Sequence, residues 1–221
     1  MQILADRLAL WFLRLNGFMT IANFIVHPEG PREDGAYPQR TDVDVLGVRF
    51  PFRTENRLRP MPDHDWFTSE QRRVMVVLSE VTVGGCKVNG PWTNPELQNM
   101  EKVLFAGGFR PAVEVDAIAA ALYTHGIWED AKEDSMVIRI VCFGGRHNSA
   151  VGRQFPRVPQ LIWSQHVLPF VYQRFTDYHL EKRMHNQWEA DARDLFMAAN
   201  VARAGTGIDE FVQAVQVVDR L

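Results

Sequence analysis

The order of hydrophobic patterns along the chain predicts an α/β sandwich. Three observations support this fold class. An amphipathic segment opens the chain, three strand-like segments follow it, and a further strand-like segment stands between helix-like ones. The length of 221 residues fits one domain better than two, and no internal repeat or low-complexity tract is visible.

The first half of the chain predicts one helix and three strands. Apolar residues recur at helical spacing over residues 5–15, and Asn16 and Gly17 supply a stop. Residues 18–26 are rich in Phe, Ile and Val and read as a strand. Residues 41–50 alternate, and residues 74–83 form a nearly continuous apolar run, which is typical of a strand buried on both faces.

Strict alternation over residues 41–50 places Asp42 and Asp44 on one face, together with Leu46 and Val48, and Val43 and Val45 on the other. The proline-rich polar segments 28–39 and 51–72 read as loops on either side of this strand. The strand is therefore expected to carry carboxylates on a partly apolar face.

The second half predicts a helix that is capped by Thr93 or Asn94, begins at Pro95 and ends at Gly107 and Gly108. An extended piece over residues 113–115, a helix over 116–124 and a strand over 136–143 follow. The last third predicts one long helix with an apolar stripe from Phe175 to Ala199, and a terminal helix over residues 209–221.

Composition restricts the classes of function. Cys86 and Cys142 stand far apart and have no CxxC or His partner at ligand spacing, which excludes a disulfide framework or a zinc motif and favours a reducing cytoplasm. The apolar stretch 8–13 is less than half the length of a membrane span, so no membrane association is expected. A net charge of -3 argues against a histone-like binder but allows an enzyme with local basic patches.

Two acidic residues indicate a metal site. Glu80 lies inside the most hydrophobic strand, where an unpaired carboxylate would cost several kcal/mol, about the penalty for one buried ion. An ion pair with a buried cation is the simple explanation. Asp44 on the neighbouring predicted strand offers another, because two carboxylates and one backbone carbonyl, here that of Val81, suffice to hold Mg²⁺ or Mn²⁺.

The sequence Thr41-Asp42-Val43-Asp44-Val45-Leu46, followed by Ser79-Glu80-Val81-Thr82 on the next strand and by a helix, resembles the PD-(D/E)XK nucleases over about the first 145 residues. The resemblance implies a restriction-endonuclease-like α/β/α sandwich with a central mixed sheet, with residues 1–145 as its core and 160–221 as a helical extension of the same domain. It also implies that Asp44 and Glu80 bind Mg²⁺, and that a lysine two residues after Glu80 activates the attacking water.

The chain departs from this pattern at the lysine. Thr82 occupies that position and has no positive charge to offer. Lys87 is a candidate substitute, because the glycine pair before it allows the chain to fold back towards Glu80; a solvated loop lysine is the alternative. Among polar residues nearby, Arg40 is a candidate phosphate contact, Gln98 resembles the helix residue that often accompanies this site, and Asp42 is a second carboxylate or a solvated strand end.

The expected function is therefore metal-dependent endonucleolytic hydrolysis of DNA in the cytoplasm, with Asp44, Glu80, Lys87 and Thr82 as catalytic positions. The alternative is a catalytically degenerate module of the same fold that binds nucleic acid or a protein partner without cutting. An unrelated α/β enzyme is the third interpretation, because the motif is short. The oligomeric state is open, with a homodimer among the alternatives.

Overall fold

Two groups of strands and eight α-helices make up the part of the chain that the computed structural model describes, residues 1–27, 30, 41–68 and 72–219. The strands are β1 (Gln2–Leu4), β2 (Met19–Val26), β3 (Thr41–Arg49), β4 (Val74–Val81), β5 (Ile127–Glu129), β6 (Met136–Gly144), β7 (Gln160–Ile162) and β8 (Gln216–Val218). The helices are α1 (Ala5–Leu15), α2 (Asp65–Thr68), α3 (Asn99–Gly107), α4 (Val115–His125), α5 (Ser149–Gln154), α6 (Leu168–Asp177), α7 (Ala190–Ala204) and α8 (Ile208–Ala214).

The central sheet is mixed, as the sequence predicts. Its strand order is β2-β3-β4-β6-β5, and β7 pairs with β6 beyond the end of β5. Strands β2, β3 and β4 pair antiparallel, whereas β4 and β6 pair parallel. A parallel pair requires a crossover connection, and α3 and α4 lie in it.

Helices cover both faces of the sheet. One hydrophobic cluster joins α1, α6, α7 and α8 to side chains of β4 and β6, including Phe12, Val77, Phe143 and Phe175. The other cluster packs α3 and α4 against the opposite side of the same strands, with Leu78, Met100 and Ile140 among its members. The C-terminal helices thus share a continuous core with the opening helix and the sheet.

Local sequence explains the elements that position the candidate site. Helix α1 is amphipathic and buries Leu8, Phe12 and Leu13, and its Asn16 cap returns a backbone hydrogen bond to Phe12. Strand β4 is buried from Met75 to Glu80 because both of its faces are covered by helices. The predicted burial of this strand on both faces is confirmed.

Several predicted elements differ in the structure. The prediction of one long helix over residues 175–199 is wrong. Helix α6 ends at Asp177 and α7 begins at Ala190, so His179 and His185 lie in the connection between the two helices. The extended piece at 113–115 is a 3-10 turn leading into α4. The terminal helix ends at Ala214, because the chain then forms β8 and pairs parallel with β1 at the N-terminus.

Two finer differences bear on the site. The helix predicted from Pro95 is broken at Gln98, whose φ of 53° separates a 3-10 turn from α3. The strict alternation in β3 is also wrong: Val43 and Val45 pack in different core clusters, on opposite faces of the sheet. Asn23, which faces this step on β2, has a φ of 51°, and this local distortion of the β2–β3 pair reverses the face of the flanking side chains.

No helix among these residues is long and apolar enough to cross a lipid bilayer.

Candidate functional site

Strand pairing brings the two predicted metal ligands to neighbouring positions. Strands β3 and β4 pair antiparallel, with Val45 opposite Ser79 and Leu46 opposite Leu78. Asp44 and Glu80 are the next opposing positions, one step past the last paired residues. The order and adjacency of these two strands are as the sequence predicts.

Asp44 closes the end of this pairing with its side chain. Its Oδ2 accepts a hydrogen bond of 2.7 Å from the backbone N–H of Val81, a group that the strand ladder leaves unpaired at this point. The carboxylate lines a cavity of about 330 Å³. The other residues around this cavity are Ala5, Asp6, Asn23, Asp42, Val81 and Asp219.

Glu80 is buried, with only 5% of the residue's surface exposed. Its Oε2 accepts a hydrogen bond of 3.2 Å from the backbone N–H of Asn89. Burial, and then the negative charge of Asp44, raise the pKa of this carboxyl to about 8, although the hydrogen bonds from Asn89 and Trp92 and the positive charge of Lys87 act in the opposite direction. At neutral pH the Glu80 carboxyl is therefore mostly protonated.

Lys87 lies in the loop after β4, is exposed, and is close enough to Glu80 for its ammonium to lower the pKa of the carboxyl. Glu80 is therefore within electrostatic range of both Asp44 and Lys87. The predicted role of Lys87 as the substitute for the motif lysine stays a prediction.

Thr82 has a structural role in the turn after β4. Its Oγ1 accepts a hydrogen bond of 3.1 Å from the N–H of Gly84, and its carbonyl accepts one of 3.0 Å from the Trp163 indole. A hydroxyl that closes a turn in this way is a common use of threonine. A lysine at this position would lose the bond to Gly84.

The two carboxyl groups line different cavities. Glu80 lies on the face of β4 that packs on α3, next to Trp92 and Met100. The cavity of Asp44 is lined instead by the first turn of α1, whose helix packs on the other face. Val81, the residue predicted to offer a carbonyl, lines the Asp44 cavity.

Glu80 would have to move before it could share a divalent cation with Asp44. Glu80 is buried and the negative charge of Asp44 raises its pKa, so a cation bound by both carboxylates would stabilise their ionised forms. To share an ion with Asp44, however, the Glu80 carboxylate has to leave Asn89 and Trp92 and turn towards β3. Within the described ranges, no group of three or more His, Cys, Asp or Glu side chains is arranged to hold a metal ion.

The remaining predicted residues are distributed around this site. Asp42 is partly buried and lines the same cavity as Asp44, so it does not lie at a fully solvated strand end. Gln98 is exposed at the break before α3. Arg40 lies outside the described residues. Trp92, which borders Glu80, is 3% exposed and packs in the core.

Sequence reasoning missed Asp6 and Asp219, which join Asp42 and Asp44 around one cavity. They come from the first turn of α1 and from the residue after β8, so their proximity depends on the pairing of the two chain ends. No local pattern in the sequence signals such a contact.

A second cleft was also missed. His64 and His166, with ring centroids 6.2 Å apart, line a cavity of about 390 Å³. Each Nδ1 accepts a backbone N–H, from Trp66 at 3.4 Å and from Ile162 at 2.9 Å, and burial lowers the pKa of both imidazoles. The neutral rings therefore carry their proton on Nε2, which leaves no lone pair there for a metal.

Comparison of the chain with protein-family models, curated proteins and solved structures yields no match.

Proposed function

We propose that the protein is a metal-dependent endonuclease with a restriction-endonuclease-like fold that hydrolyses phosphodiester bonds in DNA. The observation that carries this proposal is the placement of Asp44 and Glu80 at opposing positions of β3 and β4, with Lys87 within electrostatic range. The order of core elements supports it: helix α1, three antiparallel strands, and a crossover to the parallel strand β6. The resemblance to the nucleases implies the same sequence of elements: an opening helix, the strand that carries Asp44, the strand that carries Glu80 and a following helix.

In this proposal Asp44 and Glu80 would hold Mg²⁺ or Mn²⁺, with the carbonyl of Val81 as the third protein ligand. The ion supplies Lewis-acid polarisation of the scissile phosphate when it is bound. Asp44 provides a negative charge at neutral pH, and Glu80 has to lose its proton to become a ligand. The ammonium of Lys87 offsets negative charge at the reacting phosphate, a role that Thr82 cannot fill.

The experiment is a cleavage assay on supercoiled plasmid DNA with Mg²⁺ or Mn²⁺. We expect nicking that is abolished by EDTA, by Asp44→Ala and by Glu80→Ala, with circular dichroism showing that both variants fold. Lys87→Ala should slow cleavage by about 10²-fold, the usual scale for losing a positioned electrostatic or acid/base group. Metal-dependent cleavage that survives the first two substitutions would place the active site elsewhere.

The second candidate is a module of the same fold that binds DNA or a protein without cutting it. Two observations favour it: the Thr82 hydroxyl is committed to a turn, and the two carboxyl groups line separate cavities. DNA binding without cleavage under every metal condition would support this candidate. Activity gained in Thr82→Lys would further show that only the motif lysine is missing.

A further inference from the structure

The loops that follow the parallel strands β4 and β6 are joined to each other. The N–H of Gly145 donates to the carbonyl of Gly84 at 2.6 Å, and the N–H of Cys86 donates to the carbonyl of Arg146 at 2.9 Å. Asn148 adds a side-chain hydrogen bond of 2.8 Å to the carbonyl of Cys86. Hydrogen bonds therefore join residues 84–87 and 145–148 into one continuous surface, called the ledge below.

Glycine is required where the ledge is tightest. A Cβ at Gly144 would lie 2.8 Å from the backbone N of Cys86, and one at Gly145 would lie 2.4 Å from the carbonyl oxygen of Val83. Both contacts are to backbone atoms, which cannot move aside without breaking the junction. This close approach brings the residues that follow, Lys87 and Arg146, to the same edge of the sheet.

Lys87 and Arg146 are exposed, and neither forms an ion pair with another described residue. Many other arginines of the chain are paired, among them Arg7, Arg14, Arg49, Arg53, Arg73, Arg110 and Arg174. The side chain of Arg146 extends along Gly85, with its Nε 3.4 Å from the position of a Cβ there. Two exposed cations with no ion pair to another described residue thus lie on this ledge, in a protein of net charge -3.

The position of the ledge relates it to the candidate site. In open α/β sheets, ligands bind beyond the carboxyl ends of parallel strands, which is where these two loops lie. Glu80 and Val81 end β4 only a few residues before Gly84. Fixed positive charge beside a carboxylate site is suited to the phosphates that flank a scissile bond.

We propose that Lys87 and Arg146 form a phosphate-contacting surface for the backbone of duplex DNA. The proposal rests on the proposed function for the choice of DNA as the partner. Because the contacts are electrostatic, they contribute affinity without sequence preference and weaken with salt. Arg146 takes no part in the proposed chemistry, so a substitution of Arg146 tests DNA binding separately from cleavage.

The test is fluorescence anisotropy of a labelled 20-base-pair duplex, titrated in EDTA at several salt concentrations so that no cleavage occurs. We expect Lys87→Ala/Arg146→Ala to weaken binding by about tenfold or more at 0.1 M salt, and to reduce the slope of log K against log salt by about 1.8, since each phosphate contact contributes about 0.9. Arg146→Lys should retain most of the affinity, because it keeps the charge.

The matched control is Lys132→Ala/Arg183→Ala, which removes the same charge from two exposed residues elsewhere, Lys132 being in the turn that precedes β6. Equal affinities and slopes for the two double variants would overturn the proposal, and so would a wild-type protein that does not bind the duplex. Impaired binding in the Lys87/Arg146 variant of a protein that never cleaves would support the ledge and reject the nuclease. Metal-dependent cleavage by the wild type, together with unchanged DNA binding by the Lys87/Arg146 variant, would support the nuclease and reject the ledge.

Discussion

At the scale of single residues, the protonation of Glu80 depends on its burial and on the charge of Asp44. Its carboxyl is buried, is opposed by Asp44 and has a pKa of about 8, whereas the ordinary value is 4.5. The folded state therefore binds this proton more tightly than the unfolded state does. The resulting stability is fully present below pH 4.5 and is lost as the pH rises through about 8.

This sign predicts the behaviour of Glu80→Gln, which keeps the shape of the side chain and removes its charge. In EDTA, the free energy of unfolding of the wild type should fall from pH 5 to pH 8 relative to that of the variant, as measured by urea denaturation. Glu96→Gln, at an exposed position, should follow the wild type. Parallel pH profiles for wild type and Glu80→Gln would show that Glu80 ionises normally.

Sequence reasoning identified Asp44 and Glu80 because both lie in strongly patterned strands, where a carboxylate is conspicuous. It did not predict their orientations. Strict alternation fails in β3 where Asn23 on β2 has positive φ, and nothing in the local sequence marks that distortion. The role of Thr82 was likewise invisible, because its hydroxyl bonds to Gly84 only in the turn that the structure shows.

At the scale of elements, the connection between β3 and α2 is held by buried charge. Asp63, whose side chain is 7% exposed, pairs with Arg53 at 2.5 Å and with Arg49 of β3 at 3.4 Å. Arg174 of α6 reaches the same connection through Glu55 and the carbonyl of Pro62. Residues 50–64 therefore pack as a layer between the end of β3 and α6.

Asp63→Ala should test this attachment. It removes the carboxylate that pairs with both Arg49 and Arg53, and removing one partner of a buried pair costs about 3 kcal/mol or more. Arg59→Ala, which breaks the more exposed pair with Glu181, should cost at most about 1 kcal/mol. Chemical denaturation measures both, and similar losses in the two variants would contradict a structural role for the buried network.

The elements that sequence predicted well are those with long periodic patterns: α1, β2, β3, β4 and β6. Those that it missed are short and depend on distant partners. Strand β1 exists because β8 pairs with it, and β5 and β7 have three residues each and rely on β6. The helix predicted over 175–199 followed an apolar stripe that two separate helices, α6 and α7, supply in turn.

At the scale of the whole molecule, one core connects the two ends of the chain. Phe175, Leu195 and Phe211 from the C-terminal helices pack in the same cluster as Leu8 and Phe12 of α1. Strand β8 then returns to pair with β1. The C-terminal third and α1 thus cover the same face of the sheet together.

A chain truncated after residue 159 should therefore fail to fold, because it exposes the apolar face formed by Val77, Val141 and Phe143. Circular dichroism should show no cooperative thermal transition for the truncated chain and one for the full chain. A cooperative transition in the truncated chain would mean that the first 159 residues are an independent unit.

Isothermal titration calorimetry with Mn²⁺ measures whether Asp44 and Glu80 share a divalent cation, as the proposed function requires. We predict one binding site in the wild type, weakened at least about tenfold by Asp44→Asn and by Glu80→Gln, as expected when one of two carboxylate ligands is lost. Asp116→Asn, an exposed control on α4, should bind like the wild type. Absence of Mn²⁺ binding in the wild type, or binding that both site variants retain unchanged, would contradict the claim.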